Sequence, residues 1–167
     1  ITDSVILYKD AIYKQVNNIY MDESSTLIYS DGITSGWSKE GEKFQYSSVQ
    51  LKTKVYVNNK IVLLDNLLIN PRKDDVTKLG FFEGYENFGT LLVINKNINV
   101  EILENLRNNI NNLNLPIYFG ISELEVSGFV LRVLGNLTQN IESAINLCHN
   151  FVRKKFLNSK ELSIRKY

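Results

Sequence analysis

The fold of the first half of the chain is decided by the stretch Val49-Gln50-Leu51-Lys52-Thr53-Lys54-Val55-Tyr56-Val57. Its odd positions are apolar apart from Thr, and most of its even positions are polar. A period of two over this length predicts a strand with one buried face. Asn58-Asn59-Lys60 follows, and Asn tolerates the left-handed conformation of a tight hairpin. Ile61 to Ile69 is then the returning strand, which ends at Asn70-Pro71 because Pro stops ladder pairing.

Working outward toward the N-terminus, two shorter strands are predicted, at Ile12 to Tyr20 and Thr26 to Ser30. The second is expected to end in a turn at Asp31-Gly32. The glycines Gly32, Gly36 and Gly41 are interpreted as turn positions that need positive φ. Strands joined by short turns predict a meander or a stacked β-layer rather than a βαβ unit.

Toward the C-terminus the hydrophobic period changes to that of helices. The predicted elements are a strand at Leu91 to Ile94, a helix capped by Asn97 or Asn99 and ended by Leu115-Pro116, strands at Ile117 to Leu124 and Gly128 to Leu134, and a final helix from Asn136 or Thr138. This order, β-α-β-β-α, predicts an open sheet covered on one side by two helices.

The predicted fold class is therefore mainly β, with β-helix-like stacked strands or a meander, and two C-terminal α-helices in a β-α-β-β-α arrangement. We expect a β-rich part at 1–95, a two-helix α+β part at 96–157 packed on it as one domain, and a polar basic tail at 158–167. The chain begins at Ile1 without a Met, which is consistent with removal of an N-terminal part.

Composition argues against several classes of function. The formal net charge is +1, so no field of one sign would attract nucleic acid or an anionic membrane. No apolar run is long enough to span a bilayer. The single cysteine cannot form an internal disulfide and suits a reducing cytosol, so a cytoplasmic location is expected.

Familiar catalytic and metal motifs are absent from the sequence. Cys148 and His149 are adjacent on a predicted helix and point about 100° apart, so we interpret them as structural rather than as metal ligands. With one His in the chain, no high-affinity metal site is expected. No Gly is followed by Lys-Ser or Lys-Thr, so a phosphate-binding loop is not predicted.

Carboxylates at strand ends and turns are the remaining candidates for chemistry. Asp65 stands out because Leu63-Leu64 and Leu67-Leu68 flank it within an apolar strand, and a buried carboxylate needs a partner. Such carboxylates, with aromatic residues around Trp37, also fit a β-rich carbohydrate-binding or hydrolytic domain. A small α+β enzyme within residues 90–157 is a third reading, although no nucleophile and base are found there.

Several segments, in this order, resemble urease accessory proteins of the UreD type, also called UreH. They are Asp3-Ser4-Val5-Ile6, Ala11-Ile12-Tyr13-Lys14-Gln15, Ser35-Gly36 to Gly41-Glu42, Asp65 to Pro71, Gly84 to Leu92, and Gly128 to Gly135 followed by a helix with Arg153. The resemblance covers nearly all of this chain and the C-terminal portion of such a protein. The family commonly has Arg after the Gly that Gly36 matches, and Trp37 stands there instead.

The resemblance implies a non-enzymatic assembly factor with a stacked β fold and two C-terminal helices. It would bind apo-urease and two further accessory proteins, one of them a GTPase, so that nickel reaches the urease active site. It would hold no tightly bound cofactor and would contact nickel only transiently.

From the resemblance and the carboxylates at strand ends, we expect Asp31, Glu42, Asp65 and Glu86 to include groups that line an ion path or contact a partner. The basic residues late in the final helix, Arg153, Lys154 and Lys155, together with the tail residues Lys160, Arg165 and Lys166, are expected to dock on an acidic partner; a solvated helix end favoured by the dipole is the alternative.

Overall fold

The computed structural model describes residues 4–78 and 80–160, and this part of the chain forms seven strands and two helices. In chain order they are β1 (Ile12–Met21), β2 (Leu27–Thr34), β3 (Ser48–Val57), β4 (Lys60–Ile69), β5 (Asn87–Ile94), α1 (Val100–Asn112), β6 (Ile117–Glu123), β7 (Gly128–Gly135) and α2 (Thr138–Phe156). The predicted class, mainly β with two helices, is confirmed. Of the two, α2 is the C-terminal helix, and α1 lies between β5 and β6.

The strands form two sheets that share apolar cores. One has three strands in the order β1-β3-β4, and the other has four in the order β2-β5-β7-β6. β1 pairs in parallel with β3, and the intervening β2 lies in the other sheet, so the chain makes one turn of a β-helix-like coil. β3 and β4 form an antiparallel hairpin. The two sheets therefore stack as a sandwich. β4 extends the three-stranded sheet by pairing with β3.

The hairpin between β3 and β4 forms where the sequence predicts it. Asn58 and Asn59 have φ of 48° and 64°, the pair of left-handed residues that a two-residue hairpin turn requires. A register shift lies between Val55 and Tyr56, beside the turn. The alternation along β3 buries one face of the strand, as expected from its period of two.

The predicted turn at Asp31-Gly32 is wrong, because β2 continues through it to Thr34. Gly32 pairs with Gly89 of β5, and a Cβ at Gly32 would lie only 2.7 Å from the Phe88 carbonyl oxygen. This glycine therefore permits a close approach of strands rather than a turn. Gly36 and Gly41 do adopt positive φ, of 86° and 75°, as predicted.

The two helices cover the outer face of the four-stranded sheet. The Asn99 side chain caps α1 by accepting a hydrogen bond from the Ile102 N–H at 3.0 Å. α2 packs so closely on β5 that a Cβ at Gly89 would lie 2.5 Å from Ile141 Cγ2. β5 begins at Asn87, four residues before the predicted start, where it pairs with Thr34 of β2 and Gly135 of β7. In the described part of the chain, neither helix is long and apolar enough to cross a membrane.

Candidate functional site: a polar band between the sheets

A row of polar residues crosses each sheet at the same level. In the three-stranded sheet, strand register places Asn17 beside Thr53, and Thr53 beside Asp65. In the four-stranded sheet it places Asp31 beside Thr90, and Thr90 beside Arg132. Two contacts join the rows, namely Asn17 to Tyr29 and Arg132 to Asp65. We call these six residues, with Tyr29 and Gln15, the polar band.

The polar band divides the apolar core between the sheets into two clusters. The cluster on one side includes Ile33, Val49, Leu51, Ile69 and Leu134. The cluster on the other side includes Val55, Leu92, Ile94 and Val130. Polar side chains between two sheets replace apolar ones that would stabilise the core. Burying them costs free energy unless they are hydrogen-bonded or ion-paired.

Tyr29 organises the inner part of the band. Its hydroxyl donates to Asp31 Oδ2 at 3.1 Å. The same hydroxyl oxygen accepts from Gln15 Nε2 at 3.1 Å and from Asn17 Nδ2 at 2.7 Å. Burial and the neighbouring Asp31 charge raise the pKa of Tyr29 to about 12, so the phenol stays protonated and serves as a donor at neutral pH.

Asp31 is the carboxylate in the band with the most perturbed environment. Burial, the largest cause, raises its pKa from 3.8 to about 6. The Tyr29 hydrogen bond and the Arg132 charge oppose this rise, while the Asp65 charge adds to it. Near neutral pH a fraction of Asp31 therefore carries a proton, and any positive charge that approaches favours the loss of that proton.

Asp65 and Arg132 form the outer end of the band. Arg132 Nη2 donates to Asp65 Oδ1 at 2.9 Å, and the two side chains are 29% and 50% exposed for Asp65 and Arg132, respectively. Both border a surface pocket of about 360 Å³ that is also lined by Phe81, Phe82 and Phe88. The ion pair thus lies where the band meets solvent.

A narrow cleft connects the two carboxylates. Its lining residues are Tyr29, Asp31, Thr53, Leu63, Asp65, Thr90, Leu92 and Val130. Its volume of about 10 Å³ is about the space that the centre of one water molecule needs. Thr53 and Thr90, both 5% exposed, also line the cleft, and the Thr53 hydroxyl accepts a hydrogen bond from Asn17 Nδ2 at 3.3 Å. The cleft therefore has room for about one water molecule held by oxygen atoms.

The structure brings together two of the four predicted carboxylates, Asp31 and Asp65. Glu42 lies exposed in the loop after β2, where its carbonyl accepts a hydrogen bond from Ser38. Glu86 forms an ion pair with Lys43, outside the band. Glu42 and Glu86 are therefore surface residues near that loop.

The predicted basic surface lies at the C-terminal end of α2. Arg153 Nε donates to the Lys160 carbonyl oxygen at 3.4 Å, so it holds the residues that follow the helix. Lys155 Nζ lies 5.3 Å from the centre of the Phe151 ring, and Lys154 is exposed. Residues 161–167 of the predicted tail, Arg165 and Lys166 among them, lie outside the described residues.

Cys148 and His149 are both buried on α2. Burial raises the pKa of the Cys148 thiol to about 12 and lowers that of the His149 imidazole, so each favours its neutral form. Within residues 4–78 and 80–160, no three His, Cys, Asp or Glu side chains cluster in a way that suits a metal ion.

Trp37 does not lie beside the carboxylates, whereas Phe81, Phe82 and Phe88 line the pocket next to Asp65. Trp37 packs edge to face on Tyr8, with ring centres 5.4 Å apart, and it does not line the cleft. Phe82 is buried in the core, where its ring lies 4.8 Å from that of Phe44. The concave face with Trp37 beside two carboxylates, which a carbohydrate-binding or hydrolytic domain would need, is not formed by these residues.

Sequence reasoning missed Tyr29, Thr90 and Arg132 as members of the band. Arg132 lies within the apolar stretch Gly128 to Gly135, where a single charge at an inward position is a signal equivalent to that of Asp65. Tyr29 and Thr90 resemble ordinary strand residues, and their role depends on which strands pair.

The fold and the band together define a mainly β protein that carries a polar element inside a sandwich. A family model described as "UreD urease accessory protein" matches residues 1–166. A urease accessory protein UreD of Bacillus cereus is 42% identical over 165 residues, covering 99% of this chain and 60% of the relative. UreD of Ureaplasma urealyticum is 38% identical, covering 99% of this chain and 58% of the relative.

UreD of Streptococcus thermophilus is similar to the same extent, with 39% identity over 98% of this chain and 59% of the relative. The chain belongs to the UreD family of urease accessory proteins. It spans about 60% of the length of the relatives it matches. The family is one of accessory proteins rather than of catalysts, and the match confirms the resemblance found in the sequence.

Proposed function

We propose that this chain acts in urease maturation as a non-enzymatic scaffold or chaperone. It binds apo-urease and two further accessory proteins, one of them a GTPase, so that nickel is inserted into the urease metallocentre in the cytoplasm. Membership of the UreD family supports the general role. The observation that carries the proposal is the band, in which two carboxylates from facing sheets border one small cleft.

Nickel is the cargo in this proposal, not a resident cofactor. Asp31 and Asp65 offer oxygen ligands, and Thr53 and Thr90 also line the cleft. Carboxylates, hydroxyls and waters hold nickel more weakly than a cage of His and Cys would, which suits release to a partner. Arg132 neutralises Asp65 while the path is empty, and the entering cation competes with this guanidinium.

The test is nickel-dependent urease activation with the complete set of urease subunits and accessory proteins. Asp65→Ala and Asp31→Asn are expected to reduce the activity gained per unit of nickel, because each removes one charged oxygen ligand. Asp74→Asn, at an exposed loop position after β4, is the matched control. Circular dichroism must show that each variant is folded. Normal activation by a folded variant removes that residue from the proposed path.

Glu42 and Glu86 belong to this proposal as partner contacts, since both lie near the loop after β2. Glu86→Gln releases Lys43 and changes the charge of this surface without touching the core. We expect weaker capture of apo-urease or of an accessory protein and an unchanged unfolding midpoint. Equal capture by Glu42→Gln, Glu86→Gln and the wild type would show that this loop is not a contact.

The basic end of α2 is proposed to dock on an acidic partner. Lys154→Glu with Lys155→Glu reverses two exposed charges and leaves the Arg153 contact with Lys160 in place. Pull-down of apo-urease subunits is expected to fall relative to a control with Lys73→Glu and Lys96→Glu, at exposed loop positions. Undiminished pull-down would leave a solvated helix end as the explanation of these charges.

A further inference from the structure

Within residues 4–78 and 80–160, no helix or strand packs on the outer face of the three-stranded sheet, and this face is rich in apolar side chains. It carries six exposed large apolar residues, which are Ile12, Val16, Tyr20, Ile61, Leu64 and Leu68. Tyr20 also stacks on Tyr56 of the neighbouring strand, with ring centres 4.7 Å apart. Exposed apolar residues that are contiguous, rather than scattered, mark interaction sites. We call this face of β1, β3 and β4 the outer face.

Charge on the outer face has one sign. Lys14, Lys52 and Lys54 project from it, and none of the three forms an ion pair within the described residues. The outward positions of the three strands, all of them described, include no Asp or Glu. The whole chain, by contrast, has 19 basic and 18 acidic residues. The outer face is thus a local concentration of positive charge on a nearly neutral protein.

Strand register places two of the three lysines, Lys52 and Lys54, between apolar residues of the edge strands. Val16 of β1 lies beside Lys52 of β3, and Lys54 lies beside Leu64 of β4. Two edge-strand columns that are mainly apolar, although β1 also carries Lys14, therefore flank a central column that contains two lysines. A lipid surface favours the reverse order, with apolar residues inserted and lysines at the rim. A protein surface with acidic side chains between apolar ones fits this pattern.

The size of the face argues against a symmetric pairing of two copies. Three strands of up to ten residues give a footprint of about 480 Å², at about 4.8 Å per strand and 3.3 Å per residue. A pair of such footprints is below the roughly 1,200–2,000 Å² that stable interfaces bury. Two copies would also bring three lysines against three lysines. A larger partner that extends past the edge strands meets neither difficulty.

We propose that the outer face is a docking surface for a protein partner whose contact patch combines apolar and acidic side chains. This inference rests on the proposed function, because the partner is one of the urease maturation proteins. It adds to that function a surface on the opposite side of the molecule from the helices. The outer face is separated from the polar band by the thickness of the three-stranded sheet.

The experiment measures binding of the full chain to purified apo-urease and to each purified accessory protein. One variant reverses the charges, as Lys14→Glu, Lys52→Glu and Lys54→Glu, and another removes apolar contacts, as Leu64→Ser and Leu68→Ser. The control reverses three exposed lysines elsewhere, Lys9, Lys39 and Lys73. Each face variant is expected to weaken binding of one partner about 10-fold or more, from three exposed charge pairs or two buried leucines. High salt should weaken wild-type binding and have less effect on the charge-reversal variant.

The outcomes separate the two proposals. Unchanged binding by both face variants overturns the docking surface and leaves the proposed function standing. Failure of the wild type to bind any of these proteins overturns both. A dimer seen by sedimentation that the leucine variant abolishes would make the occupant a second copy. Binding to phosphatidylserine vesicles that the lysine variant abolishes, with protein binding intact, would make it a membrane. Either result overturns the proposal of an acidic protein partner.

Discussion

Asp31→Asn tests the electrostatics of the polar band directly. The pKa of Asp31 is raised from 3.8 to about 6 in the folded protein, mainly by burial. Between these two values the unfolded chain loses the proton while the folded chain keeps it. The folded state then binds more protons, so this group lowers stability as pH rises through that window. Above about pH 6 the full loss of stability is reached, and below about pH 4 this group no longer lowers the stability.

The expected size follows from the shift. A change of about two pKa units corresponds to about 2–3 kcal/mol of unfolding free energy. Asn keeps an oxygen acceptor for the Tyr29 hydroxyl and removes the charge. We therefore expect the difference in stability between Asp31→Asn and the wild type to move by about 2–3 kcal/mol between pH 4 and pH 8, in favour of the variant. Any pH-independent cost of Asn cancels in this comparison.

The assay is urea unfolding followed by circular dichroism at pH 4, 6 and 8. Asp74→Asn, from the exposed loop after β4, controls for the loss of one surface carboxylate. A constant difference between Asp31→Asn and the wild type across this range would refute the reasoning. An equal pH-dependent change in the control would do the same, since it would show that charge number rather than the band is responsible.

Three further results are expected. Gly89→Ala should destabilise the protein by about 1–3 kcal/mol, because its Cβ would lie 2.5 Å from Ile141 Cγ2; an unchanged urea midpoint would contradict this packing. Cys148 should react with a thiol reagent at pH 8 only after unfolding, because the thiol is buried and its pKa is raised to about 12; rapid labelling of the native protein would count against it. Asn59→Val should cost about 1–2 kcal/mol in thermal or urea unfolding, since its φ is 64°, whereas Asn59→Gly should be neutral or stabilising.

The parts of the fold that were predictable are those set by local sequence. The β3–β4 hairpin follows from a period of two and from Asn58-Asn59, and α1 follows from its apolar spacing and the Asn99 cap. Gly32 misled the prediction. It allows a close approach by the neighbouring strand, and nothing within a short window of sequence distinguishes that use of glycine from a turn.

The candidate site was predictable in part for the same reason. Asp65 was conspicuous because leucines surround it in the sequence, so its need for a partner was visible without a structure. Its partner Arg132 is 67 residues away and is reached only through the pairing of β7 with β5 and the stacking of the sheets. The grouping of Asp31 with Asp65 likewise depends on register. Glu42 and Glu86 were also chosen as carboxylates at strand ends or turns, but they lie outside the band.

The crossing of the chain between the sheets has a consequence for how the protein folds. β1 pairs with β3 and β2 pairs with β5, so each strand needs a partner that lies far along the chain. Ile12 pairs with Ser48, and Asp31 pairs with Thr90. Because β2 lies between β1 and β3 in the chain, the pairing of β1 with β3 closes a loop that contains a strand of the other sheet. Such non-local pairing makes folding slow and couples the two layers kinetically. We therefore expect a single folding transition, in which deletion of any one central strand prevents both sheets from forming.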